Sequence, residues 1–339
     1  MKKEDIVLLN HGSGGKMAHE LIRNLFFRHF DNEVLTSETD SAILDVGDGQ
    51  LAFTTDSYVV NPLFFPGGNI GKLAVCGTVN DLSVSGAKPE ALSVSFILEE
   101  GFLLSDLEKI VISMAETARE AGVAVVTGDT KVVEHGKCDK IFINTSGVGW
   151  LSREKKKISY GTGVAPGDII MLNGTLGDHG ITVLAARESL EMSPDLQSDC
   201  APLNGLIQHV FETGAAVKFM RDPTRGGLAT VLCELAETLQ NGIELEEENI
   251  PVSPVVRGAC EVFGYDPLYL ANEGKVVMVV AEKDADSVLT ALREHPLGQE
   301  AVMIGQITEN HPGKVVLRTE IGGNRIVDML AGEQLPRIC

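Results

Sequence analysis

Positive charge is scarce in this sequence. Its 339 residues hold 48 Asp and Glu against 28 Lys and Arg, a formal net charge of −20. Nucleic-acid binding needs clustered Lys and Arg against phosphate, so that partner class is excluded. The basic run Lys155-Lys156-Lys157 stands alone and reads as a solvated turn, and the acidic stretch 244–248, broken by Leu245, reads as surface. Long apolar stretches are missing too. None approaches the ~20 residues a membrane span needs. Lys2-Lys3 is followed by Glu4-Asp5, not by the apolar core of a secretory leader. A soluble, cytoplasmic protein is expected. The six cysteines, at 76, 138, 200, 233, 260 and 339, form neither a C-x-x-C pair nor a zinc-finger spacing. In a reducing compartment most are expected to be free thiols. Cys76, Cys233 and Cys260 lie in apolar segments and read as small core residues, whereas nothing follows Cys339 to bury it.

The common nucleotide signatures are absent as well. His11-Gly12-Ser13-Gly14-Gly15-Lys16 fails as a phosphate loop, because Asn10 stands where the first Gly is required and Met17 where Ser or Thr is. Met17 also occupies the third Gly of a dinucleotide-binding G-x-G-x-x-G. A G-x-S-x-G nucleophile elbow is missing there too. An ATP site in this chain must be built another way.

The length suggests about two domains, and 44% hydrophobic residues can supply their cores. The first half alternates strand and helix patterns, which places the chain in the α/β class. A strand over 51–55 ends at Asp56, and a helix over 70–85 is stopped by Gly86. A strand follows over 92–98. A helix over 105–121 has Ser105 as N-cap, Glu108 three residues on, and Gly122 past its end. A buried strand over 123–126 ends at Thr127-Gly128-Asp129, and another strand spans 141–148. The charged, Gly-rich segment 152–166 marks a boundary. The expected organisation is one domain over 1–155, a second over 156–330, and a mobile tail, 331–339, carrying Cys339. In the second half, strands are expected over 168–172, 275–281 and 301–307. Helices are expected over 178–186, 226–239 and 285–294, the middle one striped by Leu228, Val231, Leu232, Leu235 and Leu239.

Aspartates recur at element ends: Asp40, Asp56, Asp81 and Asp129. Mg²⁺ takes one or two carboxylates plus nucleotide phosphates, so these four could hold metal bridging ATP. They serve equally well as helix caps and turn residues. Asp81 fits that second use least, because it falls inside a predicted helix. Lys72 and Lys131 offer point charges for phosphate. Lys131 comes two residues after Asp129, so in an extended segment both project from one face. In Arg221-Asp222-Pro223-Thr224-Arg225-Gly226-Gly227, Asp222 or Thr224 could cap the helix that follows. Glu273 reads either as a buried base or as a solvated turn residue. His179 sits at a helix start, which would hold it neutral.

Four segments then point to a family. Thr55-Asp56-Ser57-Tyr58-Val59-Val60, Pro62-Leu63-Phe64-Phe65-Pro66-Gly67-Gly68-Asn69-Ile70-Gly71-Lys72, Thr127-Gly128-Asp129-Thr130-Lys131-Val132-Val133 and the terminal Pro336-Arg337-Ile338-Cys339 closely resemble the HypE family of hydrogenase maturation factors. The resemblance runs over essentially the whole chain. That family sits within the aminoimidazole ribonucleotide synthetase-like (PurM-like) superfamily. The resemblance implies a two-domain α/β (α+β) fold. Its N-terminal domain dimerises and binds ATP and Mg²⁺, and an α/β C-terminal domain closes over the site.

The resemblance further implies metal ligands at Asp40, Asp56, Asp81 and Asp129, and nucleotide contacts at Asp56, Lys72, Asn80, Asp81, Gly128 and Asp129. The stretch from His11 to Gly15 resembles the family's phosphate-side loop. The implied reaction is ATP-dependent dehydration of a carbamoyl group, loaded on Cys339 by a carbamoyltransferase (HypF), to a thiocyanate. The cyanide then passes to iron on a HypC–HypD complex during [NiFe] hydrogenase assembly. Such chemistry needs a cation beside the phosphate and a base near the amide nitrogen. Lys131 is the candidate cation, Glu273 the candidate base and His179 the second candidate. The nine tail residues, extended at ~3.3 Å each, reach roughly 30 Å, enough to swing Cys339 between a buried site and an outside partner. The alternatives are another ATP-dependent phosphotransferase or synthetase acting on a small molecule, and a non-catalytic ATP-binding assembly scaffold. Neither needs a terminal cysteine.

Overall fold

A computed structural model describes residues 15–21, 23, 42–46, 49–191, 193–330, 332, 335 and 337–339. A short helix α1 (Lys16–Leu21) precedes the first sheet. The strands of the first half are β1 (Ala42–Val46), β2 (Gly49–Tyr58), a small hairpin of β3 (Phe64–Phe65) and β4 (Gly68–Asn69), β5 (Lys88–Glu99), β6 (Ala124–Val133) and β7 (Ile141–Leu151). Five of them form one sheet in the order β1-β2-β7-β5-β6. Only β5 and β6 run parallel in it, and α3 (Leu104–Glu120) makes the crossover between them.

The helix α2 (Ile70–Val84) covers one face of this sheet. Asn69 starts it by accepting the Gly71 and Lys72 N–H groups, at 2.8 and 3.1 Å. It is buried nearly all round, from Ile70 and Leu73 to Leu82 and Val84. Such a helix must be sandwiched, and here the second half of the chain covers its other side. The opposite face of the sheet is open. Phe53, Ile97 and Trp150 remain exposed there, Trp150 by 52%.

Two expectations fail in this half. Leu103, not Ser105, is the N-cap of α3 and makes no side-chain cap bond, so the helix starts one residue early and the Ser105–Glu108 box is unused. The strand expected to be buried over 123–126 is β6, which runs on through Asp129 and Lys131 and is exposed along nearly its whole length. An apolar run does not reveal whether its cover comes from the same chain or another. Gly128 keeps β5 and β6 together, because a Cβ there would lie 2.2 Å from the Val94 carbonyl oxygen.

The second half contains a seven-stranded sheet: β8 (Ile169–Leu172), β9 (Val217–Arg221), β10 (Gly242–Glu246), β11 (Val277–Val280), β12 (Val302–Thr308), β13 (Val315–Arg318) and β14 (Asn324–Val327). Their order is β14-β13-β10-β12-β8-β11-β9. The period of two sorts side chains between two cores. Ile170, Leu172, Val277 and Val279 face α7 (Gly227–Leu239), whose Leu228, Leu232 and Leu235 are buried against them. Met171, Met278 and Val280 face the other way, toward the segment that contains Leu206, Ile207 and Val210 and toward Val288 and Leu292. Each of these buried side chains contributes about 1.5–3 kcal/mol. The remaining helices are α4 (Lys156–Tyr160), α5 (Asp178–Arg187), α6 (Asn204–Glu212), α8 (Pro254–Phe263) and α9 (Ala285–Glu294). Neither Asp222 nor Thr224 caps α7; its N-cap is Gly226, in the left-handed region at φ 78°. Among the described residues no helix is long and apolar enough to cross a membrane. Cys76, Cys233 and Cys260 are buried as expected, and so is Cys200.

A third core joins the halves. Tyr58, Ile70, Leu73 and Ile110 pack in one cluster with Ile181, Leu184, Val256 and Leu270, and with Leu335 and Ile338 near the end of the chain.

Candidate active site

The end of the chain lies in a seat built from both halves. Val59, just past β2, donates its N–H to the Cys339 carbonyl at 3.1 Å, and Asn61 donates to the Arg337 carbonyl at 3.3 Å. Both bonds run from the 59–61 segment to the chain's end. Arg187, at the end of α5, adds donors to Asn61 O and Arg337 O, both at 2.8 Å. Arg337 in turn donates to Val59 O at 2.9 Å and pairs with Asp139 at 2.5 Å. His179, in the first turn of α5 and fully buried, closes the seat. Its Nε2 lies 2.9 Å from the Ile338 carbonyl, and its Nδ1 lies 2.8 Å from the Ser198 hydroxyl. A carbonyl only accepts, so Nε2 carries the proton and Nδ1 accepts from Ser198. Burial lowers the pKa of His179 and keeps the ring neutral. Both ring nitrogens are thereby engaged.

Around Cys339 stand groups of a different kind. Glu273, on the segment entering β11, is only 3% exposed, and its N–H is held by Asp199 Oδ1 at 3.0 Å. Burial pushes its carboxyl well above the usual range, helped by Cys200, Asp222, Asp199 and Asp56 nearby. Glu273 is therefore a buried carboxyl and not a solvated turn residue. Tyr58 is buried beside it, and burial with Asp56 and Asp81 raises its pKa further above 10.0. Arg225 has its side chain at the surface, in the turn before α7. Its charge is held chiefly by Cys339, then by Asp56 and Glu273, which outweigh the desolvation opposing it.

The other expected residues fall in separate places. Asp81 sits in α2 as anticipated and accepts from Thr54 at 2.8 Å. Asp56 lies inside β2 rather than at its end, in register with the buried Thr145 on the helix-covered face. Asp129 and Lys131 do share one face of β6, 2.9 Å apart, and that ion pair lowers the Asp129 pKa. That face is the open one. Asp129 is in register with Ser95, and Ser95 with Asn144, which in turn faces Ser57. Asp56 is one residue out of phase, so the pleat sends the two aspartates to opposite sides. The expected four-aspartate cluster is therefore not assembled within one chain. Asp40 lies outside the described residues, as does the loop 11–14. Among the described residues no three His, Cys, Asp or Glu side chains gather as a metal site. Lys72 donates to Gly67 O at 3.1 Å in the first turn of α2.

Asn80, expected to touch nucleotide, spends its amide on the protein. Its Nδ2 donates to Ala201 O and Glu273 O at 3.1 and 3.2 Å, and its Oδ1 accepts the Leu203 N–H at 2.8 Å. This strut ties α2 to the segment that carries Glu273. Asn80→Leu keeps the volume and strands those three buried groups. It should lower stability by about 3 kcal/mol, read as a lower urea midpoint at unchanged slope.

Sequence reasoning missed Tyr58 and Arg225 as site residues. Tyr58 lay within a segment already matched to the family, two residues beyond the strand end expected at Asp56. Arg225 stood in Thr224-Arg225-Gly226-Gly227, whose glycines drew attention to the helix start instead.

The family model of AIR synthase related protein, N-terminal domain, matches residues 38–151, and that of the C-terminal domain matches residues 165–318. The carbamoyl dehydratase HypE of Cupriavidus necator is 52% identical over 332 residues, covering 98% of this chain and 94% of the relative. The crystal structure of a HypE–HypF complex matches with a TM-score of 0.85 at 49% identity, covering 91% of this chain and 99% of the other. That of hydrogenase maturation protein HypE in complex with ATP matches at 0.83 and 48% identity, covering 98% and 100%. With both domain models matched in order and half of all residues shared over nearly the full length, the chain belongs to the HypE carbamoyl dehydratase family of AIR synthase related proteins.

Proposed function

We propose that this protein is an ATP-dependent carbamoyl dehydratase acting on a carbamoyl group carried by the Cys339 thiol. Its main support is the seating of Cys339: the chain's end bonds to Val59, and Cys339 shares the Arg225 guanidinium with the buried carboxyl of Glu273. An end designed only to pack would not share a guanidinium with a buried, high-pKa carboxyl.

The reaction balances as follows. The carbamoyl oxygen takes the γ-phosphoryl group, and ADP leaves. Both N–H protons are lost, the C–O bond breaks with its electron pair going to phosphate, and C≡N remains on sulfur. Thiocarboxamide and ATP thus become thiocyanate, ADP and hydrogen phosphate, with one proton released to solvent. Glu273 is the proposed proton acceptor. His179, with both nitrogens engaged, holds the tail. Asp56 and Asp81 supply two carboxylates for Mg²⁺, whose remaining ligands would be phosphate and water oxygens; when bound, the ion neutralises phosphate charge. Lys72, in the first turn of α2, is the candidate cation for phosphate.

Lys131 and Glu273 stand on opposite sides of the first sheet, so they meet on one cargo only if they come from different copies of the chain. Among the described residues β6 has a single strand neighbour, and its Val125, Val126 and Val132 are exposed by 47–65%. Such an edge is normally covered. A second copy packed on the open face would cover it and make a homodimer. The tail would leave its seat for loading by HypF, return for dehydration, and deliver cyanide to a HypC–HypD complex in the cytoplasm.

The reading is tested by intact mass. Protein carbamoylated by HypF and then given Mg-ATP should lose one water, about 18 Da by the stoichiometry of amide dehydration, with one ATP hydrolysed per loss. An unchanged mass with ATP present would leave only a binding scaffold.

A further inference from the structure

Two buried polar atoms beside the Cys339 seat have no protein hydrogen-bond partner among the described residues: Tyr58 Oη and Glu273 Oε1. Buried groups are rarely left so, because an unmade bond forfeits hydration with nothing in return. Tyr58 is 1% exposed and Glu273 3%. The neighbouring Thr78 hydroxyl spends its own proton on Thr145 Oγ1, 2.5 Å away, which donates in turn to Ala74 O at 3.1 Å. It makes no hydrogen bond of normal geometry with the phenol.

The phenol's position is set by the fold. In the middle of α2, a Cβ on Gly77 would lie 2.2 Å from Tyr58 Oη, so only glycine leaves room for the hydroxyl. Glycine weakens a helix interior, and a phenylalanine at 58 would have needed less space. Tyr58 also immediately precedes Val59, whose N–H holds the Cys339 carbonyl. Glu273, Tyr58 and Cys339 all act on the same Arg225 guanidinium.

One orphan is a donor and the other an acceptor. A primary carboxamide presents the complement, a carbonyl oxygen and N–H groups. We propose that Tyr58 and Glu273 form a two-point receptor for the carboxamide on Cys339, the Tyr58 hydroxyl donating to the carbamoyl oxygen while Glu273 accepts an amide N–H. This rests on the dehydratase reading above. It makes Tyr58 a catalytic residue of that reaction. The carbamoyl oxygen has two lone pairs. One accepts from Tyr58, and the other stays available to the γ-phosphoryl group. As Glu273 removes the amide proton, negative charge builds on that oxygen, and the phenol stabilises it as an oxyanion donor does. Tyr58 transfers no proton, so the balance of the reaction is unchanged. A phenol raised far above neutral pH by burial stays protonated and suited to that work.

The test uses Tyr58→Phe in the full-length protein, carbamoylated by HypF and followed by intact mass after Mg-ATP. Loading and ATP binding should match the parent, while dehydration slows on the order of 10²-fold. The thermal midpoint should stay level or rise, since the lost hydroxyl had no protein partner. A merely structural role predicts the opposite pairing, a lower midpoint with loading and dehydration falling together, and that result would overturn the proposal. So would parent-like dehydration. Gly77→Ala, which displaces the hydroxyl without removing it, should slow dehydration as well, and an unchanged rate there counts against the receptor. If the parent protein itself loses no water, the dehydratase reading fails instead, and the two failures are told apart in one experiment.

Discussion

Glu273→Gln should leave the carbamoyl group stranded on Cys339. The amide has the carboxylate's shape and can occupy the same buried site, but it cannot accept a proton. General bases contribute about 10²–10⁴-fold, so dehydration should slow by about 10³-fold. Loading by HypF should persist, because it takes place with the tail away from this site. The measurement is a time course of intact mass on the carbamoylated variant. Cyanation at the parent's rate would remove Glu273 from the mechanism.

The same variant has a pH signature. Burial, with nearby Cys200, Asp222, Asp199 and Asp56, raises the folded-state pKa of Glu273 above its ordinary value of 4.5. Below the raised value the carboxyl is protonated and cannot take the amide proton. Dehydration in the parent should therefore climb with pH through that value, and the variant should lack the climb. Stability runs the other way. Below 4.5 the group is protonated in both folded and unfolded chains, and its contribution to stability is fully present. As pH rises toward the folded-state pKa, the unfolded chain ionises and the folded one resists, so that stability is lost. Glu273→Gln should match the parent in acid and exceed its thermal midpoint at neutral pH. A variant less stable than the parent at neutral pH would contradict the burial argument.

The second large effect is subunit complementation. Lys131→Met and Glu273→Gln should each be nearly inactive alone. Mixed after unfolding and refolding together, they should regain about a quarter of parental dehydration: half the dimers are mixed, and one of the two sites in each is whole. If Lys131 and Glu273 served one cargo within a single chain, no mixture could recover. Phe53→Glu supplies the control. Phe53 is 43% exposed on the open face, so a charge there should not disturb folding, yet it would be buried and unpaired in a dimer. Sedimentation should show a monomer that binds ATP and does not dehydrate. A dimer of parental stability would place the second copy elsewhere.

Several elements were legible from local pattern alone. The helix over 70–85 appears as α2 (Ile70–Val84), and that over 285–294 as α9 (Ala285–Glu294). The strands of the first half appear somewhat longer than expected. These segments carry strong periodicity or clear stops such as Gly86. Others were not legible. β9, β10, β13 and β14 are only four or five residues long, and Asn324-Arg325-Ile326-Val327 is exposed at its first three positions. Such short strands exist because neighbours complete their hydrogen bonds, and a lone segment carries no sign of that. α6 over Asn204–Glu212 escaped notice for a related reason: its nine residues are held by Leu206, Ile207 and Val210 packing beneath the sheet.

The sequence by itself determined the charge, the absence of the common nucleotide loops, the α/β alternation and the family motifs with their terminal cysteine. These are properties of composition and local order. Only the tertiary structure decided how they combine. The strand pleat put Asp56 and Asp129 on opposite faces, although both are aspartates in extended apolar segments. Packing of α5 against the chain's end and Ser198 engaged both nitrogens of His179, whereas Glu273 Oε1 stays buried with no hydrogen-bond partner among the described residues. Gly77 opened the space that Tyr58 fills. Each outcome depends on which segments become neighbours across the fold, and the free energy that selects those neighbours lies in buried contacts between residues far apart in the chain.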